Sequence, residues 1–142
     1  MSPTLPCACT ALRKASRAIT RLYDERLADS GMTITQFAVL RHIAREGGLP
    51  LSRLADLLVM ERTSLYRTMA PLERQGWVAV EAAGSRVKIA SLTEAGFRAM
   101  ENTTSAWEHA QSEIISAIGV TDFQLLEAQL QKLVAISSGK TS

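Results

Sequence analysis

Cysteine, proline and aromatic residues are scarce in this chain of 142 residues: it has two cysteines and four prolines, and aromatic residues make up 5%. So few cysteines exclude a disulfide scaffold. No apolar run approaches the roughly 18 to 20 residues that span a bilayer. The N-terminus lacks the basic and apolar regions of a signal peptide. With 46% hydrophobic residues, we expect a globular, helix-rich protein of a bacterial-type cytoplasm.

Motifs of catalysis and of metal binding are also missing. The sequence has no glycine-rich dinucleotide motif, no paired-histidine helix and no serine nucleophile elbow. The two cysteines lie far from His42 and His109, without a standard zinc spacing. We therefore expect no enzyme, no cofactor and no metal site.

Charge is small in sum but uneven along the chain. The formal net charge is +2, which divides into +3 for residues 1–50, +2 for 51–92 and −3 for 93–142. A basic excess in the first two thirds favours contact with a polyanion there, while the acidic last third has another role.

Apolar residues at steps of three and four predict about six helices. They are expected over 8–28, from Thr33 or Thr35 to 45, and over 52–60, 61–75, 93 to about 118 and 121 onward. Ser52 is the expected N-cap of the third helix. Pro71 is expected to bend the fourth helix or to loosen it over residues 67–70, because proline cannot donate a backbone hydrogen bond.

Residues 51–92 combine two short helices with a hairpin. Valines at 78 and 80, and then Val87 and Ile89, alternate around a turn at residues 82–85. A helix in the major groove with a basic hairpin beside it is a recurrent way of reading duplex DNA. The predicted fold class is therefore mainly α, a winged helix-turn-helix with about six helices and a β-hairpin wing.

The terminal helices carry apolar stripes that are too wide to remain exposed to solvent. We predict that they pair two copies of the chain, although both stripes could instead pack inside a monomer. The residues assigned to dimerisation are Leu12, Ile19, Leu22, Phe123, Leu126, Leu130 and Leu133. The chain is thus predicted to be a single domain over 1–142, with a DNA-binding core at 32–92 and dimerisation helices at 8–30 and 93–137.

Three segments resemble the MarR family, the multiple antibiotic resistance regulators. They are GMTITQFAVLRHI (31–43), LSRLADLLVMERTSLYRTMAPLERQGWV (51–78) and SLTEAGFR (91–98). The resemblance extends from about Leu12 to Val134. It implies a dimeric winged-helix repressor whose terminal helices form the dimer, and whose DNA binding is controlled by a ligand or an oxidant.

The resemblance also implies which residues would contact DNA. The candidates are Ser52, Arg62, Thr63, Ser64, Tyr66, Arg67, Arg86 and Lys88. Hydroxyls can form hydrogen bonds with phosphates or base edges, and an arginine can form two hydrogen bonds with one guanine. The alternative for the arginines is a solvated charged face. Wings of this family commonly carry an acidic residue two positions before the arginine, and here that position is Gly84.

Two further features could control the protein. Cys7 and Cys9 lie at the start of the first helix, where oxidation could link subunits or trap a small thiol, although they could equally be uninvolved. Trp107 and His109 could line a crevice for a small molecule, or could serve only as core and surface residues.

The predicted function is a sequence-specific transcriptional regulator that binds a pseudo-palindromic operator as a homodimer. One alternative is a protein-interaction module that keeps the winged-helix scaffold without reading DNA. The other is a redox protein that depends on Cys7 and Cys9.

Overall fold

Six α-helices and a small sheet build the chain in the computed structural model, which describes residues 4–139. The elements in chain order are α1 (Ala8–Leu27), a 3-10 turn (Ala28–Ser30), α2 (Ile34–Glu46), β1 (Leu49–Pro50), α3 (Leu51–Leu58), α4 (Arg62–Arg74), β2 (Val78–Ala82), β3 (Lys88–Leu92), α5 (Glu94–Ile118) and α6 (Val120–Ser137). The predicted fold class, a mainly α winged helix-turn-helix, is confirmed.

Local capping explains several of the helix boundaries. The Thr33 hydroxyl accepts a hydrogen bond from the Gln36 amide, and the Gln36 side chain accepts one from the Thr33 amide, which is a complete capping box. The Thr93 hydroxyl caps α5 by accepting from the Gly96 amide. Gly31 and Gly47 end the preceding helical segments with φ values of 70°, a conformation that glycine adopts without strain.

The expected cap of α3 is wrong, and so is one of the two effects expected from Pro71, the loosening of α4. Ser52 does not cap α3, because the helix begins one residue earlier and Pro50 holds the N-cap position. The fixed φ of proline suits this entry to a helix without a side-chain bond. Residues 67–70 are not loosened either, since α4 continues through Pro71 to Arg74. Met69 and Leu72, both buried, hold the helix on the core on either side of the proline.

The wing belongs to a three-stranded antiparallel sheet with the order β1-β3-β2. The predicted hairpin is present, with Val80 opposite Ala90 in its centre. Strand β1 was not predicted. It pairs Leu49 with Ala90 and so ties the start of α3 to the wing.

One hydrophobic core joins the helix-turn-helix to the sheet. The largest of the fully buried side chains are Leu27, Phe37, Val39, Leu40, Ile43, Leu49, Leu54, Leu65, Met69, Leu72 and Thr103. Trp77, Val80 and Trp107 pack against this core while remaining half-buried. Within residues 4–139, no helix is both long and apolar enough to cross a membrane.

Polar side chains connect α1 to α5. Arg26 donates two hydrogen bonds to the Glu113 carboxylate, at 2.9 and 2.8 Å. The Tyr23 hydroxyl donates to the Gln111 side chain. At its outer end α1 carries exposed apolar side chains, with Leu12 and Ile19 about 40% exposed.

Helix α6 stands apart from the core. None of its residues, all of which the structure describes, is buried. Leu126, Leu130 and Leu133 are 42%, 39% and 42% exposed along one side, and Leu125 and Ile136 lie exposed on another. A helix that is apolar around most of its circumference is normally covered by neighbours.

Candidate nucleic-acid interface

A groove of about 430 Å³ separates the start of α4 from the tip of the wing. It is lined by Pro50, Leu51, Ser52, Arg62, Leu65, Tyr66, Arg86, Val87 and Lys88. Five of the eight predicted DNA-contacting residues therefore meet in one place, although they come from three separate elements.

The electrostatics of this groove favour an anion. Its lining includes the cations Arg62, Arg86 and Lys88 and no carboxylate. Within residues 4–139, none of these three cations is paired with an acidic side chain.

Two helices also begin at the groove. Helices α3 and α4 start at Leu51 and Arg62, and neither has a side-chain hydrogen bond at its N-cap. Their first amides are therefore free to donate to an incoming group, and the positive ends of both helix dipoles lie at the groove. An anion in the groove would meet these donors as well as the cations.

The other three predicted residues lie on the outer side of α4. Thr63 and Arg67 are four residues apart and share an exposed face, with Ser64 beside them. Leu65 and Met69 point the opposite way into the core. The helix thus presents one face to solvent and one flank to the groove.

Sequence reasoning missed two arginines near this surface. Arg74 is exposed and continues the face of Thr63 and Arg67 by two further turns. Arg53 follows Ser52 in the first turn of α3, and one guanidinium nitrogen lies 3.7 Å from a Glu46 carboxylate oxygen. Positive charge on the same helix as a predicted DNA-contacting residue is the signal that could have found both.

The tip of the wing is a tight loop. The Ala83 amide donates to the Val87 carbonyl at 2.8 Å, which places Arg86 in an exposed position near the closing bond. Gly84 has a φ of 88°, a left-handed conformation that favours glycine over residues with a side chain. This backbone conformation accounts for glycine at the position where similar wings carry an acid.

The two cysteines lie at the outer end of α1. Cys7 is the N-cap residue and Cys9 lies in the first turn, and both thiols are exposed. Attraction to the backbone amide and then the hydroxyl of Thr10 lowers the pKa of the Cys7 thiol, although neither contact has full hydrogen-bond geometry. A lower pKa increases the thiolate fraction and hence the reactivity at neutral pH.

Trp107 and His109 point in different directions from α5, since residues two apart on a helix do not face each other. Their positions fit the alternative, in which one packs at the core and the other lies at the surface. His109 lies on an open polar surface with Arg26 and Asn102. Trp107 instead packs beside Phe37, and the half-buried Arg41 guanidinium lies 4.2 Å above its ring. No cluster of three or more metal-ligating His, Cys, Asp or Glu side chains occurs within residues 4–139.

An exposed helix of a helix-turn-helix with a basic hairpin beside it defines a winged-helix protein of the DNA-regulator class. The family model of the MarR family matches residues 30–86. The chain is 31% identical to the Mycobacterium tuberculosis transcriptional regulator MosR, solved in complex with DNA. That alignment covers 94% of this chain and 98% of MosR, with a TM-score of 0.87. The chain belongs to the MarR family of transcriptional regulators.

Two more distant structures share the fold. A mutant of Escherichia coli MarR complexed with operator DNA is 22% identical, with 87% of this chain and 91% of that chain covered and a TM-score of 0.78. NadR in complex with 4-hydroxyphenylacetate is also 22% identical, with 96% and 98% covered and a TM-score of 0.76. No curated protein matches the chain in sequence. The role indicated by the family is regulatory rather than enzymatic.

Proposed function

We propose that the chain is a sequence-specific DNA-binding repressor that binds a pseudo-palindromic operator as a homodimer. The observation that carries this proposal is the groove in which Arg62, Arg86 and Lys88 meet the uncapped starts of α3 and α4. Phosphates would be held at the groove, and the outer face of α4 would supply base choice. The structure of MosR in complex with DNA supports the same function.

The homodimer is proposed from the terminal helices. Exposed Leu12 and Ile19 on α1, together with the exposed leucines of α6, form apolar surface that a second copy would cover. A two-fold pair would present two copies of α4 to successive turns of one duplex. Residues 32–92 then act as the reading unit and residues 8–30 and 93–137 as the pairing unit, in the cytoplasm where the operator is.

The test starts from duplexes that the full-length protein selects from a random-sequence DNA library. Replacing both Arg62 and Arg67 with alanine should weaken binding to these duplexes by about tenfold to a hundredfold for each base that is no longer contacted. The slope of log affinity against log salt should become shallower by about one for each phosphate that is no longer neutralised. Replacing both Arg17 and Arg21 with alanine, which removes the same two charges from exposed positions of α1, is the matched control.

Failure of the wild-type protein to select any duplex would favour the alternative, a winged-helix module that binds partner proteins. Full affinity in the double variant would show that α4 takes no part in DNA recognition.

We further propose that oxidation or a small ligand releases the DNA. For oxidation, Cys7 and Cys9 would lose two protons and two electrons to peroxide, giving a disulfide between subunits and two waters. Mild peroxide should then abolish the gel shift of wild-type protein and leave a Cys7→Ser, Cys9→Ser variant bound. An unchanged wild-type gel shift would discard oxidation.

For a ligand, the half-buried Arg41 guanidinium favours an aromatic carboxylate. It lies against Phe37 and Trp107, and no carboxylate within residues 4–139 forms a salt bridge with it. NadR was solved with a ligand of this class, 4-hydroxyphenylacetate. Calorimetric titration with that acid should give heat that is reduced in an Arg41→Lys variant, and no heat with wild-type protein would discard this ligand.

A further inference from the structure

The segment between α4 and β2 meets the start of α5 backbone to backbone, at a contact with no room for a side chain. Gly96 is buried in the first turn of α5. A Cβ atom added to it would lie 2.1 Å from the carbonyl oxygen of Trp77 and 2.9 Å from the carbonyl carbon. Because these are backbone atoms rather than the end of a flexible side chain, α5 can come this close only with glycine at position 96.

Two hydrogen bonds cross the same contact, and a third caps α5 beside it. The Thr93 amide donates to the Trp77 carbonyl oxygen at 3.0 Å. The Thr93 hydroxyl donates to the Gly76 carbonyl oxygen at 2.6 Å, and its oxygen accepts from the Gly96 amide at 3.0 Å. A single hydroxyl thus caps α5 and binds the residue at the exit of α4.

The contact lies where α4, the wing and α5 meet. The Trp77 amide donates to the Leu72 carbonyl in the last turn of α4 at 3.0 Å. The next residue, Val78, begins β2 and pairs with Leu92 at the base of the wing. Helix α4, the wing and α5 are therefore connected at one point.

Helix α5 leads from this point to the pairing surfaces. Its far half binds α1 through the Arg26 and Glu113 pair, and it continues through Gly119 into α6. Any change of angle at the contact would therefore move α4 and the wing relative to the helices proposed to form the dimer.

We propose that the joint formed by Gly76, Trp77, Thr93 and Gly96 sets the angle of α4 and the wing relative to α5. Thr93 and Gly96 are then positioning residues for DNA binding. This proposal rests on the proposed function, because the angle affects DNA binding only when two paired copies bind one duplex. In such a dimer the angle fixes the separation of the two α4 helices, and with it the preferred spacing of operator half-sites.

The experiment measures spacing preference rather than affinity alone. Duplexes selected by the wild-type full-length protein are rebuilt with one base pair added or removed between the half-sites. Thr93→Val keeps the size of the side chain and removes both of its hydrogen bonds, and Gly96→Ala forces α5 away from Trp77. We expect each to change the ratio of affinities for native and altered spacing by about fivefold or more, the lower end of coupling between linked sites.

Two controls separate positioning from folding. Thr93→Ser keeps the hydroxyl and should retain the wild-type ratio. Thr104→Val removes a hydroxyl of α5 that bonds only within its own helix, to the Met100 carbonyl, and should also retain it. Should Gly96→Ala fail to fold, Thr93→Val decides the matter.

A lowered melting temperature in Thr93→Val with an unchanged spacing ratio would overturn the proposal, since the joint would then serve stability alone. If the wild-type protein selects no duplex, the proposed function fails and this inference fails with it. If the wild-type protein selects duplexes but the variants keep the wild-type spacing ratio, the proposal for the joint is wrong and the proposed function is unaffected.

Discussion

The winged core and the terminal helices differ in how they cover their apolar side chains. Between residues 32 and 92, side chains such as Phe37, Leu54 and Leu72 are at most 1% exposed within a single chain. Helix α6 has no buried residue, and α1 has one, Leu27. The core is therefore complete in one copy, while the terminal helices present a surface that still needs covering.

The largest effect expected from this difference is on folding. Leu54→Ala should lower the free energy of unfolding by about 2–5 kcal/mol, because the cavity forms in a fully packed site. Leu57→Ala in the same helix, where the side chain is 39% exposed, should cost less than about 1 kcal/mol. Urea denaturation measures both, and equal losses would show that the winged core is not the closed unit described above.

The next effect is on pairing. Leu126→Glu combined with Leu130→Glu should leave the winged core folded and convert the protein to a monomer. Its affinity for a two-half-site duplex should fall by about a hundredfold or more, because the second half-site no longer binds in the same complex. Analytical ultracentrifugation and circular dichroism test the two parts.

The control for that charge change is Gln124→Glu with Gln129→Glu, at two polar positions of α6. It should remain dimeric. If the protein with both leucine substitutions were still a dimer, the contrast between the winged core and α6 would fail, because the dimer would then form through another surface.

A smaller effect is expected at the wing, where a substitution should change DNA affinity without changing the oligomeric state. Arg86→Ala should weaken binding to the selected duplexes by about tenfold and leave the oligomeric state unchanged. Lys88→Ala should weaken binding less, because Lys88 belongs to the regular part of β3 while Arg86 lies at the exposed tip. A binding titration in which the two variants weakened equally, or not at all, would remove the wing from DNA recognition.

The smallest effect concerns the contact of α1 with α5. The hydrogen bonds from Arg26 lower the pKa of Glu113. A carboxyl with a lowered folded-state pKa adds stability above its unfolded-state pKa, and loses it as the pH falls through the folded value. The melting temperatures of wild type and Glu113→Gln should therefore differ at pH 7 and converge in acid below the ordinary glutamate range.

Since this pair is exposed, high salt should also reduce the difference. A difference that persisted in acid would point to packing rather than charge.

Sequence patterns predicted the elements whose signals are local. The starts of α2 at Thr33 and of α5 at residue 93 depend on neighbouring residues, and both boundaries are confirmed. Strand β1 escaped prediction because it has two residues and its partner, Ala90, lies about forty residues along the chain.

The candidate site was predictable in its residue types and not in its arrangement. Periodicity places Arg62 and Tyr66 on one side of a helix, but the approach of the wing to that side depends on tertiary packing. Trp107 and His109 were grouped by closeness in sequence, and helix geometry separates them. The apolar stripe of α6 was predictable from its spacing, but only the structure shows that a single chain leaves every residue of this helix without full burial.

Pro50 ends the sheet as well as starting α3. Strand β1 is an outer strand, and proline has no amide hydrogen to offer to a further strand. At this edge of the sheet, residue 50 therefore has no amide hydrogen with which to bind a strand of another molecule, which lowers the tendency of the edge to aggregate.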